Sequence, residues 1–137
     1  MRNALLLLAL LLATLAAPAA AEHEVYYRYT VLGYVKDAAG KPRPGEGIEL
    51  IREKTGFSYL GETDAEGLFV IVARLGDESA GEALTLRHGA LRTQVTARFD
   101  VANHTDERGT RVDLLAGKAV ERPTWFHSTL MNFLSRR

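Results

Sequence analysis

The histidines are the residues best suited to hold a metal or to move a proton near neutral pH. They are scattered along the chain, at His23, His88, His104 and His127. A zinc site on a helix needs two histidines three or four residues apart, and no two of these have that spacing. We therefore expect solvated or hydrogen-bonded histidines, with no metal site and no cofactor.

His23 has one further context in which it would bind a metal. If a leader were cleaved after Ala20, His23 would be the third residue of a free N-terminus. The terminal amine, the amide nitrogens and the imidazole would then form the square-planar set that Cu(II) prefers. Cleavage one residue later is favoured, because Pro18 fits poorly in the upstream pocket of the leader peptidase.

Acidic and hydroxyl side chains do not form a catalytic pattern either. Four carboxylates are candidate Ca²⁺ ligands: Glu62, Asp64, Glu66 and Asp77. Their spacing matches no calcium-binding loop, and turn formation already accounts for Asp64. The serines lie outside any nucleophile-elbow motif, and the chain contains no cysteine. We expect a protein that is not an enzyme.

The elements that position these residues are short apolar runs of period two, each ended by Gly, Pro or Asp. Such runs are typical of antiparallel strands joined by tight turns. Seven strands are predicted: Tyr26–Val35, Gly47–Glu53, Phe57–Thr63, Leu68–Arg74, Ala83–His88, Leu91–Asp100 and Thr110–Leu115. This spacing predicts an all-β, seven-stranded Greek-key sandwich of immunoglobulin or transthyretin type, with a closed barrel as the alternative.

Two of these strands have a predictable position in the sheets. Phe57–Thr63 contains Ser, Gly and Glu and is expected at an edge. Leu68–Arg74 is apolar on both faces, which favours a strand inside a sheet with a layer packed over each side. The turn between them contains Asp64, which can accept hydrogen bonds from amides two or three residues on, and Gly67, which can adopt positive φ.

Composition limits the possible functions of the chain. It has 137 residues, 47% hydrophobic and 25% charged, with zero formal net charge. These values suit one globular domain, and the balanced charge gives no case for nucleic-acid binding.

The first residues read as a secretory signal. Arg2 precedes an apolar run of Leu and Ala, and the small residues Ala19 and Ala21 fit a cleavage site after Ala21. The run is shorter than the roughly 20 residues that span a bilayer, which disfavours an uncleaved anchor. We predict a signal peptide at 1–21, a sandwich at 22–117, and a product that is periplasmic or secreted.

Residues 118–137 form a separate tail, in which a linker, Lys118–Pro123, precedes a short amphipathic helix capped by Thr124. Apolar residues at helical spacing give this helix one apolar face. Three interpretations are open: the helix covers an edge or end of the sandwich, it docks on a partner protein, or it contacts a membrane surface. The candidate partner-binding residues are Trp125, Phe126, Leu130, Phe133 and Leu134.

A family resemblance rests on the turn and core signals. Gly33-x-Val35-x-Asp37, Gly40-Lys41-Pro42, Gly47-Ile48-Glu49-Leu50 and Thr63-Asp64-x-x-Gly67-x-Phe69-x-Ile71 are similar to the carboxypeptidase regulatory-like domain. The resemblance covers roughly Tyr29 to Leu115. It implies a transthyretin-like sandwich and an accessory module without chemistry of its own.

Two enzyme groups with related folds match less well. The transthyretin-related hydrolase ends in Tyr-Arg-Gly-Ser, whereas this chain ends in Leu134-Ser135-Arg136-Arg137. Ring-cleaving dioxygenases need paired tyrosine and histidine iron ligands. Here most tyrosines fall between Tyr26 and Tyr34, and the histidines are scattered.

The first functional hypothesis is an exported, non-catalytic binding or assembly module. It would act through its loops and terminal helix on an envelope or periplasmic protein. The second is a carbohydrate- or cell-wall-binding module that stacks sugars on Tyr26, Tyr27, Tyr34 and Tyr59. The third is a hydrolase, for which no catalytic set is visible.

Overall fold

The computed structural model describes residues 24–136, so the predicted leader and His23 lie outside the described residues. The eight strands are β1 (Tyr29–Lys36), β2 (Gly47–Arg52), β3 (Phe57–Glu62), β4 (Leu68–Ala73), β5 (Ala83–His88), β6 (Leu91–Thr96), β7 (Gly109–Leu115) and β8 (Lys118–Glu121). One α-helix follows, α1 (Phe126–Ser135). Short 3-10 turns lie at Val25–Tyr27, Asp77–Ser79 and Pro123–Trp125.

The strands form two four-stranded sheets, in the orders β4-β1-β7-β8 and β3-β2-β5-β6. β1 lies parallel to β7, and the other neighbouring strands are antiparallel. The predicted all-β sandwich with a short terminal helix is therefore confirmed.

The strand count differs from the prediction, because Lys118–Glu121 forms β8 where the sequence predicted a linker. β8 folds back on β7 through Ala116 and Gly117, which both have positive φ, 52° and 78°. Two-residue hairpin turns of this kind normally carry Asn or Gly at the first position. Because alanine is not a typical turn residue, the sequence gives no signal of a turn at that position.

The main core fills the space between the two sheets. One sheet contributes inward side chains such as Val31, Phe69 and Ile71, and the other contributes Leu50 and Leu84. All are fully buried, which is what the period-two alternation predicts for one face of each strand.

The position of β4 contradicts the prediction. β4 lies at the edge of its sheet, whereas β3 lies at the edge of the other sheet as predicted. The outer face of β4 is apolar because α1 covers it, and not because β4 has a strand on each side. Val70 packs against the buried cluster of Leu32, Phe126 and Leu130, so that α1 covers this face.

α1 packs on the outer face of the β4-β1-β7-β8 sheet. Phe126 and Leu130 are each only 5% exposed there. The helix begins after the 3-10 turn, and Trp125, not Thr124, occupies the cap position. Among residues 24–136, no helix has the length and apolar character needed to cross a bilayer.

The turn before β4 has the predicted Asp64 acceptor and positive φ at Gly67, but the second amide that Asp64 accepts lies four residues on, at Leu68, and not three. Asp64 Oδ1 accepts hydrogen bonds from the amides of Glu66 and Leu68, at 2.9 and 3.0 Å. Gly67 has φ of +80°, and its carbonyl accepts the amide of Val35 at 2.8 Å. The hydrogen bond between the motif residues Val35 and Gly67 therefore joins the start of β4 to the end of β1.

Candidate functional site

The predicted partner-binding residues are divided by the fold. Phe126 and Leu130 are buried against the sheet, and Phe133 is partly buried beside them. Trp125 and Leu134 stay exposed near the two ends of α1. The apolar face of the helix already has its binding partner within the chain.

Trp125 belongs to a charged cluster that holds α1 to the sheet. The guanidinium groups of Arg111 and Arg122 lie 5.2 and 4.7 Å from the centre of its ring. Both donate to Asp113 Oδ2 at 2.9 Å, and Asp113 is 1% exposed. Arg111 also donates to the hydroxyl of Thr129 at 3.0 Å. Since the side chains are paired with one another, this cluster is structural.

The four tyrosines proposed for sugar stacking lie in different places. Tyr26 stacks on His104 with ring centres 4.1 Å apart, and Tyr27 lies beside Tyr26. Tyr34 lies under Arg111, and Tyr59 faces the side of the sandwich where β3 and β4 meet. The tyrosines do not form one shared platform.

The candidate metal-binding carboxylates also do not form one site, because Asp64, Glu66 and Asp77 are bonded to different partners. Glu66 pairs with Arg136, and Asp64 caps its own turn. Asp77 binds both Arg108 and His104, at 2.8 and 2.9 Å. The hydrogen bond from Arg108 is the main cause that lowers the pKa of Asp77.

Residues 24–136 contain no group of three or more histidine, aspartate or glutamate side chains placed to hold a metal. His88 lies 3.5 Å from Glu46, and the Arg43 hydrogen bond is the main cause that lowers the pKa of Glu46.

An apolar cleft lies where the edge strands β3 and β4 meet, one from each sheet. Its volume is about 510 Å³, and its lining residues are Phe57, Ser58, Tyr59, Leu60, Val70, Ile71, Val72 and Arg74. At one end the strands are close together, since a Cβ on Gly61 would lie 2.7 Å from Ile71 Cγ1. The cleft is open at the other end, beside Phe57 and Val72.

Large apolar side chains are exposed along this cleft. Phe57 is 59% exposed, Leu60 78% and Val72 48%. Phe57 meets Tyr59 edge to face, with ring centres 4.9 Å apart. Clustered apolar exposure of this kind is typical of a surface that binds another molecule.

The backbone of β4 offers hydrogen-bonding groups along the same edge. Leu68 exchanges bonds with Asp64, and the Arg74 amide donates to Tyr59 Oη at 3.3 Å, so both residues face away from β1. In an antiparallel ladder alternate residues face the same way, so Val70 and Val72 also face away from β1. No strand of the described chain pairs with this edge.

β4 also lacks the features that usually protect an edge strand. Its sequence, Leu-Phe-Val-Ile-Val-Ala, contains no charge and no proline. Natural edge strands commonly carry lysine, proline or a bulge to prevent pairing with another chain. We call the residues Phe57, Tyr59, Leu60, Val70, Val72 and Arg74 the β4 edge surface.

A second apolar pocket of about 310 Å³ adjoins this surface on the outer face of the sheet. Val70 and Val72 line both the cleft and this pocket, whose far wall is Leu130, Phe133 and Leu134 of α1. One signal for the site is present in the sequence, the apolar character of both faces of β4, but that signal also fits an interior strand.

Comparison with known proteins adds little. No family model and no curated protein matches the chain. The dioxygenase domain of a dioxygenase–carbohydrate-binding protein fusion from Streptomyces sp. SirexAA-E is 20% identical, with TM-score 0.46, over 65% of this chain and 79% of that one. Catechol 1,2-dioxygenase from Acinetobacter sp. ADP1 is 17% identical, with TM-score 0.41, over 63% of this chain and 43% of that one. Values this low carry no conclusion about activity.

Proposed function

We propose that this protein is an exported, non-catalytic binding module that takes up an extended strand of an envelope protein along β4. The observation that carries the proposal is the unpaired and unprotected edge of β4 beside an apolar cleft. The sequence motifs from Gly33 to Ile71 further support a carboxypeptidase regulatory-like domain with transthyretin-like Greek-key topology, which is a family of accessory modules.

The main chain supplies the affinity in this form of binding. An added strand exchanges backbone hydrogen bonds with the edge it joins. The amides and carbonyls of Val70 and Val72 point to the free side of β4 and are placed for this exchange. An extended backbone is the ligand that satisfies them.

The side chains on either side of β4 supply selectivity. Successive residues of an added strand point to opposite faces of the sheet. Those on the inner face would meet Phe57 and Tyr59 of the cleft. Those on the outer face would meet Leu134 and Phe133 of the adjoining pocket. The inner face favours apolar side chains, whereas the outer pocket combines this apolar wall with the ion-paired Arg28 and Glu107.

This proposal changes the role of the terminal helix. The sequence suggested that α1 docks directly on a partner, but its apolar face is occupied by Leu32 and Val70. α1 instead provides one wall of the pocket beside β4. Only its exposed residues, such as Leu134, are available to a partner.

Strand addition can be tested with a short fluorescein-labelled peptide of alternating valine and threonine. We expect its fluorescence anisotropy to rise on titration with the protein. Val72→Lys should weaken binding about tenfold or more, because an edge lysine opposes pairing. Val120→Lys is the matched control, since Val120 is a similarly exposed valine on β8, the opposite edge of the same sheet.

A peptide carrying N-methyl groups on alternate amides gives a second control. Methylation of the amides that face β4 removes their hydrogen bonds and should abolish binding, whereas methylation of the intervening amides should not. The proposal fails if the unmodified peptide does not bind at protein concentrations where the chain is monomeric, or if Val72→Lys binds it as well as the unaltered protein does.

Carbohydrate binding is the second candidate, favoured by the aromatic pair of the exposed Phe57 and the half-buried Tyr59. Sugar faces stack on such rings. Retention on immobilised glycans that is lost in Phe57→Ala but kept in Val72→Lys would favour it over strand addition.

A further inference from the structure

We propose that the strand taken up by β4 is β4 of a second copy of this chain, which gives a symmetric antiparallel dimer. This inference rests on the strand-addition function proposed above and names its occupant. The two sheets that contain β4 would join into one continuous eight-stranded sheet, since each has four strands.

The direction of the backbone groups determines the register of this pairing. Hydrogen-bonded pairs must form between residues that face this edge and are not already bonded there. These are Val70 and Val72, since Leu68 is bonded to Asp64 and the Arg74 amide to Tyr59. A two-fold axis at Ile71 places Val70 of one copy opposite Val72 of the other. The same contact then occurs twice, as a closed dimer interface requires.

Charges at the two ends of the edge favour the antiparallel arrangement. Arg74, at the carboxyl end of β4, is exposed and takes part in none of the ion pairs of residues 24–136. The amino end carries the exposed acids Glu62, at the end of β3, and Asp64 and Glu66 of the turn. Among residues 24–136, Arg136 is the one cation in an ion pair with them, through Glu66.

Antiparallel pairing brings Arg74 of one copy beside the acidic turn of the other. In the register set by Val70 and Val72, Arg74 of one copy reaches the turn before Leu68 of the other, where Asp64 occupies the edge and Glu66 is within reach of a long side chain. Parallel pairing would instead place the two Arg74 side chains together. The zero net charge of the chain adds no overall repulsion.

Apolar burial supports the same contact. Val72, Leu134 and Phe57 are substantially exposed in the single chain and lie along the edge that the second copy would cover. An interface built on one strand pair is small, so we expect dissociation constants in the micromolar range and a concentration-dependent dimer.

Sedimentation equilibrium over a range of protein concentrations tests the dimer. The unaltered protein should show a monomer–dimer equilibrium, and Val72→Lys should shift its dissociation constant about tenfold or more. Val120→Lys should leave the equilibrium unchanged. Arg74→Glu and Glu66→Arg should each weaken the dimer, and the double variant should restore it.

Cysteine cross-linking tests the register, because the chain contains no cysteine of its own. A mixture of Val70→Cys and Val72→Cys proteins should form a disulfide-linked heterodimer on mild oxidation. Val72→Cys alone should cross-link poorly, since diagonal residues are too far apart for unstrained disulfide geometry. Preferential cross-linking of Val72→Cys with itself would overturn the register.

The two proposals fail in different ways. A protein that is monomeric at every concentration but binds the peptide through Val72 refutes the dimer and leaves strand addition intact. A protein that is monomeric and does not bind the peptide refutes both.

Discussion

A Cβ atom on Gly33 would lie 1.7 Å from the carbonyl oxygen of Val112. This contact occurs where the parallel pairing of β1 with β7 is interrupted between Leu32 and Val35. In the interruption, Asp113 Oδ1 accepts the amide of Tyr34 at 3.0 Å in place of a backbone carbonyl. The first motif glycine is therefore required by a close approach of two backbones.

Gly33→Ala should lower the free energy of unfolding by about 3 kcal/mol or more, because a backbone oxygen cannot move aside as a side chain can. Urea denaturation followed by circular dichroism measures the change. Gly47→Ala is the matched control, since a Cβ there meets nothing within 4 Å, and it should change stability by no more than about 0.5 kcal/mol. Equal stability of Gly33→Ala and the unaltered protein would show that β7 does not lie where described.

Leu130→Ala should cost about 2–5 kcal/mol if α1 packs on the sheet, since Leu130 is buried against Leu32 and Phe126. Its neighbour Met131 is 39% exposed, and Met131→Ala should cost less than about 1 kcal/mol. The chain has a single tryptophan, Trp125, so its fluorescence reports directly on this end of the molecule. Similar losses in the two variants would contradict the docked helix.

Asp113→Asn should destabilise the protein by about 3–5 kcal/mol, because it removes the buried charge that pairs with Arg111 and Arg122. A double-mutant cycle with Arg122→Gln isolates the pair. Arg122→Gln should cost less in the Asp113→Asn background than alone, when both are measured by chemical denaturation. Additive losses would mean that the two side chains do not interact.

Acid should lower the free energy of unfolding, because protonation of Glu82 removes its charged hydrogen bonds to Arg52. Two hydrogen bonds from Arg52, both 2.7 Å, are the main cause that lowers the pKa of Glu82 from 4.5 to about 2. A carboxylate whose pKa is lower in the folded state stabilises that state above the unfolded pKa. The stabilisation is then lost as the pH falls from about 4.5 toward about 2.

Glu82→Gln isolates this effect from the other carboxylates that titrate in acid. At neutral pH the variant should be less stable than the unaltered protein by about 1–3 kcal/mol. The difference should shrink steadily as the pH falls from about 4.5 to about 2, because Glu82 becomes protonated first in the unfolded and then in the folded state. A difference that stays constant with pH would refute the assigned pairing.

Local chemistry accounts for the features that the sequence predicted well. Period-two alternation determines which side chains can face a core, so the strands of the sandwich were found within a few residues of their bounds. The Asp64–Gly67 turn was predictable because its hydrogen bonds and its positive φ involve neighbouring residues.

The features that were predicted wrongly depend on contacts between distant residues. An apolar strand has the same pattern whether a sheet or a helix covers its outer face, so β4 was expected inside a sheet. β8 was missed because alanine at position 116 gives no turn signal. The β4 edge surface places Phe57 and Val72, from two different sheets, in the lining of one cleft, and no spacing in the chain indicates that arrangement.

The sequence by itself therefore determined that this chain forms a two-layered β structure with an apolar terminal helix, since burial of alternating side chains leaves few other arrangements. Only the tertiary structure decided that β4 lies at the edge of its sheet. Sheet order is set by the packing of whole strands and of α1 over β1 and β4, and these long-range contacts leave no periodic trace in the residues that make them.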